Sequence, residues 1–406
     1  MTRVVITGLG TVGPCGCGLE TLVAALEAGR PSFSEVDRSA GHHRGGSSRL
    51  AGLAAGQDLS PWVPQRAARR MSPPSRMAVA AARMALRAAG LEDDAGGPGT
   101  AVALSSAIGP ASATEKLLSQ IREEGPTAAS PFDFTESVAN APAAQVALAV
   151  GARGPNATIT QREAGCLLAL GRGAADVRAG RVRRALVGAV DEVTPLTHAV
   201  FDGFGALARP APARPEAARP LDRGRDGFVL AEGATVLVLE REEDARARGA
   251  RPLARVLALF GGHDPTATVT DWGTGETILG ERIRRGLEHA GLSPDSLDGV
   301  VSGASGSRRG DRLEGRTLVE LFPDPTRRPP VLAPKAVTGE FGGGLLGAAV
   351  AALHGRSGPP PGPHREDPEI GLMPAWGGVT GPRGRVLVSA LAAGGTAAWA
   401  VLERAG

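Results

Sequence analysis

The sequence predicts a layered α/β fold with largely buried strands, arranged as two halves of similar element order. Three observations predict it. Runs of β-branched and apolar residues alternate with amphipathic helical patterns. The strands read as covered on both faces, as in sheets flanked by helices. After Glu240 the same order of elements restarts, which points to an internal duplication without visible sequence identity. With 406 residues and 42% hydrophobic content, the chain has enough material to bury two fused halves, 1–245 and 246–406.

The elements follow in order. Val4-Val5-Ile6-Thr7 reads as a strand ending in the turn Gly8-Leu9-Gly10, and Gly18-Leu19-Glu20 opens an amphipathic helix to Ala28. Further strands are expected at 101–105, 157–160, 184–190 and 235–239, with helices at 76–90, 112–123, 142–151 and 164–180. The second round gives strands at 253–259, 299–301 and 386–388 and helices at 276–290 and 343–354. Proline- and glycine-rich stretches at 206–220 and 356–368 read as surface loops, and 41–49 as a flexible insertion.

Composition excludes several function classes. The 45 basic and 42 acidic residues are interspersed, leaving a formal charge of +3 and no basic face or tail for nucleic acid. Cys15, Cys17 and Cys166 form no C-x-x-C pair and no disulfide framework, so a reducing cytoplasm is expected, with no zinc site and no cofactor. The N-terminal MTRVVITGLG is too short and too early broken by glycine for a signal peptide or a membrane span, and no membrane role is expected. Lysine occurs only at 116 and 335 in an arginine-rich chain, so bias alone does not account for Lys335.

Four stretches stand in order along nearly the whole chain: Arg3–Gly10 (RVVITGLG), Gly154–Gly171 (GPNATITQREAGCLLALG), Arg219–Ala234 (RPLDRGRDGFVLAEGA) and Lys335–Gly347 (KAVTGEFGGGLLG), followed by Gly394-Gly395-Thr396. Together they resemble the β-ketoacyl synthases of the thiolase superfamily. The resemblance implies a thiolase-like five-layer αβαβα sandwich of two similar halves, normally dimeric.

In active members of that family a cysteine sits at the turn between a buried strand and a helix N-terminus, where the helix dipole favours the thiolate that attacks an acyl thioester. The gapless match from Gly154 to Gly171 puts Glu163 on that position, a feeble nucleophile toward a thioester. Cys166, three residues on, offers a rival nucleophile, but the same register places it inside the helix as a core filler. Two histidines complete the family's site. Gly303, in GVVSGASGSRRGD, falls on the first, and Glu340 replaces the second in Lys335-Ala336-Val337-Thr338-Gly339-Glu340. A carboxylate at 340 opposes the enolate charge of decarboxylation. The seven histidines of the chain fall outside these motifs.

The resemblance therefore implies a subunit without catalytic residues, the chain-length-factor half of a type II polyketide synthase pair. Those factors carry glutamine where this chain has Glu163. Lys335, Asp311 and Asp226 are expected to persist as a structural remnant of the site, and Glu163 and Glu340 to lie close enough for one carboxyl pKa to rise unless Lys335 or an arginine compensates. The resemblance also implies an active ketosynthase as heterodimer partner and, through the complex, an acyl carrier protein. In Ser105–Leu118 (SSAIGPASATEKLL), Ala111, Thr114 and Leu118 share one helix face and are expected to line the end of the acyl tunnel. Two other readings stay open: an enzyme in its own right, decarboxylating a carrier-bound malonyl group or using Glu163 as a base, and a stand-alone acyl-binding scaffold.

Overall fold

The computed structural model describes residues 2–405 other than 40–47, 55, 92–95, 213, 359–360 and 376–383. Ten strands of the main sheet form two sets of five with the same wiring. The first set runs Asn156–Ile159, Thr100–Ser105, Arg184–Asp191, Gly233–Arg241, Val4–Gly13 in space; the second runs Val331–Leu332, Gly299–Ser302, Arg385–Leu391, Thr396–Arg404, Ala254–His263. Numbered by sequence within its set, each order is 3-2-4-5-1. In both, the first three strands are mutually parallel and the last two pairings antiparallel. The sets meet where Val4, Val5 and Ile6 pair with Val256, Arg255 and Ala254.

Helices complete five layers. Gly165–Arg178 and Gly342–Leu353 lie between the two sets and touch strands of both. Pro73–Ala89 and Ala141–Val150 cover the outer face of the first set, and Glu276–His289 with Arg308–Leu321 cover the second. Three apolar clusters fill the gaps between layers, the central one drawing on both halves. A strand buried on both faces has no polar side to display, which is why its sequence shows a continuous apolar run.

The first strand corrects the sequence reading. It does not turn at Gly8-Leu9-Gly10 but continues to Gly13, pairing with Gly233–Arg241 along most of its length. Gly8 and Gly10 serve close approach. A Cβ on Gly8 would stand 2.1 Å from the Ala85 carbonyl oxygen, and one on Gly10 the same distance from that of Ala81, so the helix Pro73–Ala89 rests directly on bare backbone. The helices Pro131–Ser137, Pro195–Gly203 and Arg308–Leu321 and the strand Thr396–Arg404 are present without having been expected from the pattern. Of the expected insertion 41–49, only Ser48 and Arg49 are among the described residues, and Ser48 is buried against the Ala208 carbonyl. The stretch 356–368 is more than surface loop, since Gly358 bonds Leu26 and the Asp367 carboxylate pairs with Arg225 inside the fold.

Gly10→Ala should therefore lower stability by on the order of 1–3 kcal/mol, because neither backbone can yield without shifting a whole helix. Urea unfolding measures this, and an unchanged midpoint would contradict the packing described.

Candidate functional site

The site begins at the elbow between the strand Asn156–Ile159 and the helix Gly165–Arg178. A short 3₁₀ turn, Arg162–Ala164, joins them. Arg162 holds a left-handed backbone (φ 44°), a costly conformation for a residue with a Cβ. The elbow is clipped from outside. The Arg162 guanidinium donates to the Ala393 carbonyl at 3.0 Å, and the Thr396 hydroxyl donates to Gln161 Oε1 at 3.2 Å. Arg162 thus faces out while Glu163 turns inward, where its Oε2 is shielded from solvent and finds no hydrogen-bond partner among the described residues.

Below the elbow lies a buried charge network. Lys335 is fully buried and donates to Glu340 Oε1 at 2.5 Å. Glu340 is fixed by its backbone: its amide donates to Val229 O and its carbonyl accepts from Ala231 N, which ties it to the small sheet of Ser34–Glu35, Leu50–Gly52 and Leu230–Ala231. Glu314 is also buried, accepting from the Ser302 hydroxyl at 2.7 Å and the Gly303 amide at 3.0 Å. Asp311 accepts from the amides of Leu221, Ser305 and Gly306 at 2.8, 3.0 and 3.0 Å, so it holds the loop after Gly299–Ser302 against the RPLDRGRDGF stretch.

Electrostatics follow from one cation among several acids. Burial, then Glu340, pushes the Glu163 carboxyl up to about 7, with Lys335 and Arg162 pulling only weakly the other way. A helix N-terminus favours an anion by about 0.3–1 kcal/mol, which is not enough to reverse this. Burial also lifts Glu314 to about 7 and Asp311 to about 6. Lys335 would lose its proton more readily through burial alone, but Glu340 and Glu163 more than offset that and raise it. Cys166 lies on the first turn of the helix, fully buried, its thiol pushed up to about 12 mainly by burial. With a pKa of about 7 Glu163 is only partly protonated at neutral pH, and in either form a carboxyl is a feeble nucleophile toward a thioester; a thiol so far from ionisation does not attack one.

The structure brings Glu163, Glu340, Lys335 and Asp311 into one region and closes Gly303. A Cβ there would meet the Ser389 carbonyl oxygen at 2.8 Å and the Ala390 Cα at 3.2 Å, both backbone, so no larger side chain fits unaided. Asp226 pairs with Arg214 at 2.6 Å and accepts from the Arg209 amide, while the next residue, Gly227, donates to Gly306 O beside Asp311. Ala111 and Thr114 are half-buried on the helix Ala111–Glu124, and Leu118 stands on the outer surface with 61% of its area exposed. The Thr114 hydroxyl donates to Ser137 O at 2.9 Å, tying that helix to Pro131–Ser137. Sequence reasoning missed Glu314, Asp191 and Glu192. Glu314 stands three residues after Asp311 on one helix face, a spacing that could have flagged it. Among the described residues no group of three or more His, Cys, Asp or Glu side chains is arranged to hold a metal ion, and no helix is long and apolar enough to cross a membrane.

Duplicated α/β halves around two central helices, with a strand–turn–helix elbow over a buried polar network, define a protein of the thiolase-like class. The beta-ketoacyl synthase N-terminal domain family matches residues 1–245, and the chain belongs to the β-ketoacyl synthase family. It is 30% identical over 352 residues to a 3-oxoacyl-[acyl-carrier-protein] synthase 2 of Vibrio cholerae, covering 86% of this chain and 83% of that one. It is 31% identical over 387 residues to the tetracenomycin polyketide synthase ketoacyl synthase alpha subunit of Streptomyces glaucescens, covering 91% and 89%. Among solved structures, the ishigamide ketosynthase/chain length factor superposes with a TM-score of 0.88 at 30% identity over 100% of both chains.

The raised Glu163 pKa makes a signed prediction. Its folded pKa lies above the ordinary 4.5, so the native state is increasingly penalised as pH rises from 4.5, the penalty is full above about 7, and it fades as pH falls back toward 4.5. Glu163→Gln should be the more stable protein at pH 8 by on the order of 2 kcal/mol, with the gap closing on acidification. Denaturant unfolding from pH 5 to 9 measures it; a gap that does not vary with pH would contradict the assignment. Lys335→Ala, which strips the buried acids of their cation, should cost about 3–5 kcal/mol by the same assay.

Proposed function

We propose that this chain is the non-condensing chain-length-factor subunit of a type II polyketide synthase pair, read as two thiolase-like halves, 1–245 and 246–406. One observation carries the reading: each of the three positions that would perform condensation is filled by something else. Glu163 occupies the elbow, Glu340 is committed to Lys335 at 2.5 Å, and Gly303 has no room for a side chain. The likeness to the ishigamide ketosynthase/chain length factor supports it.

The partner is an active ketosynthase with a cysteine and two histidines, and an acyl carrier protein is reached through the complex. Surface features favour pairing at the first half. Asn156–Ile159 ends the sheet with no further strand beyond it among the described residues, an edge that invites another chain. Nearby helices expose Leu118, Phe132 and Phe134, more than half of each residue open to water. On this reading Ala111, Thr114 and Leu118 line the far end of the partner's acyl path, and the small side chain of Ala111 leaves it open for an extended or reduced chain.

A decarboxylase working from Glu163 is disfavoured, because Glu340 places a second negative group beside any developing enolate. Carbon dioxide release by the isolated chain would revive it, and a monomer that neither pairs nor reacts would leave the stand-alone scaffold.

Co-expression with such a ketosynthase should yield a 1:1 complex that makes polyketide. In that complex Ala111→Phe should shorten the product without loss of assembly, as read by mass spectrometry of released chains. Failure to co-purify, or an unchanged product in the variant, would count against the reading.

A further inference from the structure

The helix Ala111–Glu124 cannot cap itself. Its N-cap residue is Pro110, which offers no side-chain acceptor, and its first turn contains no acidic residue to favour the exposed amides. The missing partner arrives from the loop after the strand Arg184–Asp191. Glu192, buried, accepts from the Ser112 hydroxyl at 2.6 Å through Oε1 and from the Ser112 amide at 3.1 Å through Oε2.

Its neighbours extend the clamp. Asp191 accepts from the amides of Ala107 and Ile108 at 2.7 and 3.2 Å and from the Ser106 hydroxyl at 3.2 Å, while Ser106 Oγ accepts from the Gly109 amide at 3.0 Å. Glu232 fixes the clamp itself, accepting from Val193 N at 3.0 Å and Ala54 N at 2.8 Å. Residues 106–112 are therefore registered to the end of a central strand by two consecutive acids.

We infer that Glu192 is a specificity-determining positioning residue: by holding Ser112 it fixes where the helix Ala111–Glu124 starts, and with it the set of the Ala111–Thr114–Leu118 stripe. The inference rests on the proposed tunnel role of that stripe. The helix is also held by Leu117, its one buried side chain, by the Thr114 bond to Ser137, by the Lys116–Asp133 pair and by the Gln120 side chain accepting from the Ser130 amide. All of these lie C-terminal to Ser112, so without Glu192 the first turn is free to fray and swing Ala111 while the rest stays docked. Glu192 touches no substrate; it acts through the helix.

The test uses the full complex with an active ketosynthase. Glu192→Ala should speed amide exchange in 109–115 by roughly tenfold, the loss expected for a charge-assisted bond of ordinary strength, and broaden the chain-length distribution while the complex still assembles. Glu192→Gln, which keeps an acceptor for Ser112, should sit near wild type. Ser112→Ala should move both readouts in the same direction by less, and it carries the test should Glu192→Ala fail to fold. Unchanged exchange in 109–115 overturns the inference. So does faster exchange with an unchanged product when Ala111→Phe does alter the product. An Ala111→Phe complex with wild-type product instead overturns the tunnel reading and with it the specificity role, while exchange still reports whether Glu192 holds the helix.

Discussion

The ammonium of Lys335, on the short helix Lys335–Thr338, is buried where three carboxyl groups converge: Glu163 from the elbow, Glu340 from just beyond that short helix, and Glu314 from the helix Arg308–Leu321. One cation cannot neutralise three acids, so protons must make up the difference. Glu340, in direct contact at 2.5 Å, has first claim on the charge. Glu163 and Glu314 are left in surroundings that favour the neutral acid. The elbow of this protein thus presents a partly protonated, weakly reactive carboxyl where its fold would suit an anionic nucleophile, and that follows from burial first and from Glu340 second.

The scaffold explains why such a network persists. The elements that carry these groups come from both halves, the 3₁₀ turn Arg162–Ala164 from the first and the helices Arg308–Leu321 and Lys335–Thr338 from the second, so disturbing one acid loosens several layers at once. Asp311 shows the same economy, tying the loop after Gly299–Ser302 to Leu221, a non-glycine residue held at φ 62°. Buried acids such as this one act as ties between segments distant in sequence. Asp191 and Glu192 do this for residues 106–112, and Glu232 does it for the loop that holds them.

The layers were legible in the sequence because strands covered on both faces are written as unbroken apolar runs, and clustered β-branched residues, as in Val4-Val5-Ile6, mark those runs as strands. Thr396–Arg404 escaped because its alanines carry little strand propensity; burial between neighbours makes it a strand. Arg308–Leu321 was hidden by arginines and glycines although one face is wholly buried. Gly8 and Gly10 resembled a turn since a glycine needed for close approach looks the same in sequence as one needed for a bend. At the site, the motif positions Glu163, Gly303, Lys335 and Glu340 were legible by register. Glu314, Asp191 and Glu192 were not, because each takes its role from partners supplied by distant segments.

The central claim is that nothing at this elbow takes up an acyl group. Intact-mass spectrometry of this chain and its proposed ketosynthase partner, after loading with an acyl thioester, tests it most directly. The account predicts one acyl adduct on the proposed ketosynthase partner and none on this chain. An adduct on this chain, mapped to Glu163 or Cys166, would contradict it.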